Sequence, residues 1–318
     1  MASSAERLRR SALMAYPRGL KTAWWLIKIT LPVSFGVMLL QYFGLLELIA
    51  TYTTPLFKWV GLPGVAAIVF ITSIFTNIYS VVAILAMLNL PMREGIILAN
   101  MCLISHGFII ESAVLKKTGS RVSHMLLLRV AGSFTVAFLL NQIMPGSSDT
   151  GTVAYAMEAV TFNQAFMHWL FSSGQTVMKI LILVNVLLFF QQVMEEFNWI
   201  RLIEKPMVPV LKLMGLPPST TLSWIVANLI GLAYGSALMI DQREKGRLSA
   251  KDADLLNHHV ALSHSQLEDP LLFLTLGYTM HWLMWPRFLL AVAAVWLRRL
   301  WKQPEDYKLQ TYPKSQFP

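Results

Sequence analysis

The chain has 318 residues, of which 55% are hydrophobic and only 14% charged. A soluble protein carries about a quarter charged residues, so the composition excludes an ordinary soluble domain and indicates an integral membrane protein. The net charge of +9 comes from Lys and Arg clustered at the ends of apolar stretches, as the positive-inside rule expects, and it leaves no nucleic-acid footprint.

In chain order, residues 1–19 form a basic segment, followed directly by the apolar run TAWWLIKITLPVSFGVMLLQYFGLL. That run is longer than a signal-peptide core, and no small-residue cleavage site follows it. It is expected to be a retained first span with a cytoplasmic N-terminus. Charge-free stretches continue at 29–46, 59–92, 130–148, 159–178, 180–194, 213–240 and 270–286. A crossing helix needs about 20 apolar residues, and the pattern predicts an all-α protein with about eight membrane segments. The segments at 95–110, 180–194 and 253–267 are short or interrupted, and read as tilted spans, re-entrant pieces or surface helices. An aromatic-rich helix at 153–172 carries Glu158, Asn163, Gln164 and His168, and crossing and interfacial placements both stay open. The basic end WLRRLWKQPEDYK is expected in the cytoplasm of a cell with its protein in the inner membrane. Two loops, KKTGSR (116–121) and DQREKGRLSAKD (241–252), are both basic. They fit on one side only if 95–115 or 253–267 is re-entrant. Cys102, the single cysteine, rules out an intrachain disulfide and is expected to pack.

Comparing the chain with itself is more informative. TPLFKWVGLPG (54–64) matches VPVLKLMGLPP (208–218), with Pro55/Pro209, Lys58/Lys212, Gly61/Gly215 and Pro63/Pro217 in register. A polar-dotted span follows each copy, with Tyr79 against Tyr234 after a one-residue shift. Then LPMREGIILANMCLISHGFIIESAV (90–114) meets LSAKDADLLNHHVALSHSQLEDPLL (248–272), pairing His106 with His264 and Glu111 with Asp269. The order of matches predicts two related halves, 20–115 and 174–272, joined by a linking span and helix over 116–173. A last transmembrane helix at 273–300 and a polar tail at 301–318 complete the chain. Paired halves around a midplane site are the usual build of secondary transporters.

The P-x-x-x-x-x-G-L-P turn at Pro55–Pro63 and Pro209–Pro217, the small-residue span after it and the helix starts LPMREG and LSAKDA resemble the Gate domain. This domain is shared by bacterial nucleoside transporters and ferrous-iron permeases and is labelled "nucleoside recognition". The likeness covers both halves, roughly two-thirds of the chain. It implies a membrane protein handling nucleosides or a divalent cation. The chain departs from the iron permeases in having no G-x-x-x-x-G-K-[ST] loop and only one cysteine.

Three groups of candidate site residues stand out. The Gly-Leu-Pro turns start helices sharply, because Pro disfavours helix at the residue before it. Two such N-termini facing a common cavity would offer unpaired N–H groups to an ion; the plain alternative is an inter-helix turn. Thr72, Thr76 and Ser80 form a polar stripe on a helix, beside Asn77 and opposite a counterpart with Asn228 and Tyr234. Small polar residues in spans also serve packing, whereas buried amides are expected to face protein or water. The third group pairs a histidine with carboxylates in each half: His106 with Glu111, and His264 with Glu268 and Asp269. His264 and Glu268 are one helical turn apart, while His106 and Glu111 meet only if the helix breaks near Gly107. His258 and His259 extend the second cluster, but no zinc motif is present, and neither a cofactor nor a catalytic set is expected.

The expectation is therefore a non-enzymatic permease or transporter component, with lipid, a small-molecule or ionic solute and no nucleic acid as partners. The alternative is a non-transporting scaffold or sensor, acting as a homo-oligomer or with a partner membrane protein.

Overall fold

The computed structural model describes residues 4–88, 90–146 and 161–301, which are helical with no strand among them. The helices run in one order that occurs twice. The first series is α1 (Ser4–Tyr42), α2 (Leu45–Lys58), α3 (Ala66–Phe75), α4 (Ile78–Leu88), α5 (Met92–Ser105), α6 (Phe108–Lys117) and α7 (Val122–Ile143). The second is α8 (Phe162–Glu196), α9 (Trp199–Leu213), a 3-10 turn (Pro218–Thr220), α10 (Thr221–Leu229), α11 (Leu232–Glu244), α12 (Ala250–Leu262), α13 (Glu268–Leu274) and α14 (Met280–Leu300). Positive φ values fall at matching joints: Gly44 with Asn198, Gly61 with Gly215, Gly107 with Ser265, and Gly119 with Gly277.

Among the described residues four helices, α1, α7, α8 and α14, are long and apolar enough to cross a membrane. The helices α1 and α8 pack antiparallel along their length, tied by Arg7 to Glu196 at one end and by the Trp169 indole to Ser34 Oγ farther along. Thus 162–196 is one helix. The separate helix expected at 153–172 is its first part, with Asn163, Gln164 and His168, and the short segment 180–194 is its continuation. Residues 147–160, which include Glu158, lie outside the described residues.

The remaining apolar segments are broken in the middle, for local reasons. Thr76 turns extended and ends α3, its hydroxyl donating back to the Thr72 carbonyl (2.7 Å), and Asn77 Oδ1 accepts the Ser80 N–H (3.1 Å) to start α4. Gly231, at φ 117, divides α10 from α11. Both pairs are hairpins that return to the end of the molecule they left. In α10/α11, Ser223 Oγ donates to Gln242 Oε1 (2.8 Å), and Gly235 lies directly against the Ala227 backbone. Such contacts between residues eight and nineteen positions apart are impossible along a straight helix rising about 1.5 Å per residue. For α3/α4, Gly61 before the hairpin packs on the Asn141 side chain, and Arg93 after it donates to that same residue's carbonyl and side-chain oxygens (both 2.7 Å).

The hairpins open toward opposite ends. At one end the 118–121 turn meets Arg243, Asp254 and Asn257, and Arg298 Nε donates to Asp254 Oδ2 (2.8 Å). At the other, Asn100 Nδ2 donates to the Trp282 carbonyl (3.0 Å), Gly95 abuts Tyr278 and Arg93 binds Asn141.

Two expectations fail on this geometry. Pro55 and Pro209 lie inside α2 and α9 rather than in turns. The Gly61–Pro63 and Gly215–Pro217 turns stand at opposite ends, at the mouths of the two hairpins, so the helix starts they set share no cavity.

Candidate functional site

In each series the second broken pair carries the ionisable residues. Helix α5 ends at His106, whose backbone is extended, and Gly107 follows at φ 60 before α6 begins. That left-handed turn costs Gly little. Helix α12 ends at Ser263, and Ser265 takes φ 45 before α13, a conformation that strains a non-glycine residue and concentrates at functional sites. Each break is pinned by its own hairpin tip: Gly107 N–H donates to the Ser73 carbonyl (2.9 Å), and Ser265 N–H donates to the Ala227 carbonyl (3.0 Å). Just beyond each break a carboxylate stands in the first turn of a helix, Glu111 on α6 and Asp269 on α13, where the positive helix end favours it.

The two sets meet. His106 Nε2 lies 3.1 Å from Glu111 Oε1, so the break brings together residues that a continuous helix would hold apart. His264 Nε2 lies 3.3 Å from that same oxygen. The two imidazole centroids are 5.3 Å apart, and Asp269 Oδ2 is 3.8 Å from His106 Nε2. His264 was expected to share with Glu268 along one helix. The chain is not helical between them, and His264 faces Glu111 of the other series instead. Glu268 lies near Tyr79 of α4.

Two buried arginines complete the cluster, and both were missed in the sequence. Arg129 on α7 donates from Nη2 to Glu111 Oε2 (2.7 Å) and to the His106 carbonyl (2.6 Å), and from Nε to the Ile104 carbonyl (2.6 Å). It thereby takes up carbonyls that the break in α5 releases. Arg287 holds the corresponding place on α14, donating from Nε to Leu283 and from Nη2 to Gln266 Oε1 (3.5 Å). Both are fully buried. The signal was present as single arginines inside otherwise apolar runs, MLLLRVAG and LMWPRFLL, because an intramembrane charge is costly and marks a functional region.

The other expected residues sort into near and far. Thr72, Thr76, Asn77 and Ser80 build the α3/α4 tip; because the helix breaks there, they do not form one continuous stripe. Asn228 sits near the other tip, its Nδ2 bonded to the Trp224 carbonyl and its buried Oδ1 without a protein partner. Tyr234 is 49% exposed and stands outside the cluster. His258 and His259 also lie elsewhere, His258 bonded to the Asp254 carbonyl and His259 accepting from the Trp224 indole. Cys102 is buried in the main apolar core.

Residues 23–138 match the Gate family, described as nucleoside recognition. The chain is also 28% identical over 289 residues to the uncharacterized membrane protein YvoD of Bacillus subtilis (strain 168), covering 90% of this chain and 91% of that protein. No solved structure matches the chain.

Proposed function

We propose that this Gate-domain membrane protein is a permease of the inner (plasma) membrane that carries a small solute, nucleoside-like or cationic, between two related halves. The observation that carries this reading is the meeting of both hairpin tips and both helix breaks at one buried ionic cluster, with His106 and Glu111 from one series and His264 and Asp269 from the other. Discontinuous helices around a midplane site are how secondary transporters bind solutes, and non-helical backbone at membrane depth is tolerated where it is buried in protein or lines a cavity.

Lengths support it. The hairpin arm α3 has 10 residues and α10 has 9, so each reaches about 15 Å, half of a hydrocarbon core about 30 Å thick. The tips then sit at mid-depth, entering from opposite faces. In this topology α1, α5/α6, α7, α8, α12/α13 and α14 cross, while α3/α4 and α10/α11 are re-entrant. With α10/α11 re-entrant, KKTGSR (116–121), DQREKGRLSAKD (241–252) and both termini fall on one side, which the positive-inside rule makes cytoplasmic. The halves would be inverted relative to each other.

The test is uptake of labelled nucleosides and of divalent cations into proteoliposomes. Accumulation of a solute by the wild type and its loss in His106→Ala/His264→Ala is the expected result. Accumulation of neither class overturns the reading.

A further inference from the structure

We propose that His106, His264 and Glu111, with Asp269 as a fourth donor, form a binding site for a divalent first-row transition-metal ion. The proposal rests on the permease reading only for the movement of the ion, which it would name as the solute; the binding itself stands on the geometry of the cluster.

The tautomers set the chemistry. His106 Nδ1 lies 3.2 Å from the Cys102 carbonyl and His264 Nδ1 lies 2.7 Å from the Val260 carbonyl. A carbonyl oxygen only accepts, so each Nδ1 carries the hydrogen, and in the neutral ring the Nε2 lone pair is free. Both lone pairs converge on Glu111 Oε1, itself an acceptor. Three acceptors meeting this closely need a proton or a metal ion between them, and one hydrogen on His106 Nε2 would serve Glu111 while leaving His264 Nε2 without a partner. His264 Nε2 is buried and makes no hydrogen bond despite its 3.3 Å approach to Glu111, so a hydrogen on that atom is not placed to fill the gap. Metal-ligating histidines generally donate their other ring N–H to a carbonyl or carboxylate, which fixes the ring for the metal.

The spacing fits an ion. Metal–nitrogen and metal–oxygen bonds of about 2.0–2.2 Å in tetrahedral array place neighbouring donors about 3.3–3.6 Å apart. The two Nε2 atoms are 3.1 and 3.3 Å from Glu111 Oε1, and all three donor atoms lie within 4.8 Å of one another. Arg129 occupies Glu111 Oε2 and leaves Oε1 for the ion. Asp269 Oδ2, buried and without a hydrogen-bond partner, stands 3.8 Å from His106 Nε2. Two imidazoles and two carboxylates with no thiolate suit Fe(II), Mn(II), Co(II) or Zn(II) rather than Cu(I), which prefers sulfur, or Mg(II), which prefers an all-oxygen shell.

The test uses the full-length protein purified in detergent and stripped with a chelator. Co(II) is titrated and followed by its ligand-field absorption, and Zn(II) retained after desalting is counted by elemental analysis. Wild type is expected to hold one ion per chain. His106→Asn/His264→Asn is expected to weaken binding at least about tenfold while keeping the wild-type circular dichroism and elution volume. His259→Ala, outside the cluster, is expected to bind as wild type does. Wild type retaining no ion overturns the site, and so does unchanged binding by the folded double variant. An ion bound by wild type, with neither that ion nor a nucleoside carried into proteoliposomes, leaves the site standing and overturns the permease reading. Nucleoside uptake by a chain that binds no ion does the reverse.

Discussion

Glu111 Oε1, in the first turn of α6, lies 3.3 Å from His264 Nε2, at the break between α12 and α13. One carboxylate thus joins the two series, and its second oxygen is held by the fully buried Arg129. The cluster is a shared structure whose members lose their partners together.

Glu111→Gln keeps the side chain's shape but leaves the Arg129 guanidinium buried without its counter-charge. Breaking a buried pair this way costs about 3–5 kcal/mol. The melting temperature in detergent is therefore expected to fall well below wild type, and Glu111→Gln/Arg129→Met is expected to recover part of the loss. Equal melting of wild type and Glu111→Gln would show that the pair contributes nothing to the fold.

The two helix breaks predict opposite responses at equivalent joints. Gly107 at φ 60 and Ser265 at φ 45 both occupy the left-handed region, which costs an L-residue about 1–2 kcal/mol. Gly107→Ala is expected to destabilise by about that much, since its Cβ has ordinary space but the wrong backbone. Ser265→Gly is expected to be neutral or slightly stabilising, because relief of strain offsets the added freedom of the unfolded chain. Thermal unfolding of the two single variants decides it; a stabilised Gly107→Ala would contradict the assigned backbone.

What the sequence disclosed follows from what each feature requires. The apolar stretches, the matching Gly-Leu-Pro turns and the His/carboxylate echo were legible because side-chain type alone carries them. Whether His106 reached Glu111 depended on one backbone conformation at Gly107, which residue identity permits but does not dictate. The pairing of His264 with Glu111 rather than Glu268 is tertiary, set by how α12 and α6 pack. Arg129 and Arg287 stand at the edges of the charge-free runs 130–148 and 270–286, so a search for uncharged stretches places each outside its span. Tyr234 was matched to Tyr79 by alignment alone, and a half-exposed position resulted.

The fold-back of α10/α11 predicts a sidedness that chemistry can read. In a Cys102→Ser background, Lys58→Cys and Lys245→Cys place single thiols at exposed positions near the mouths of opposite hairpins. A membrane-impermeant maleimide added to cells is expected to label position 58 at once. Position 245 is expected to react only after the membrane is opened. Labelling of both from one side would remove the inverted arrangement.

Gly235 offers the sharpest test of the hairpin itself. A Cβ there would stand 2.7 Å from the Ala227 Cα and 2.8 Å from its backbone nitrogen, atoms that cannot move aside as a flexible side chain can. Gly235→Ala must therefore push α10 and α11 apart, displacing the Ala227 carbonyl that accepts the Ser265 N–H (3.0 Å). Overpacking of this kind costs about 1–3 kcal/mol, and disturbance of the Ser265 joint is expected to reduce uptake as well. Gly174, within α8 and with open space around its Cα, provides the contrast. There Ala gains helix propensity worth up to about 1 kcal/mol, so Gly174→Ala is expected to melt at or above wild type. A Gly235→Ala chain that melts as high as Gly174→Ala would mean that α10 and α11 do not touch at Ala227, and the re-entrant hairpin would fall with that contact.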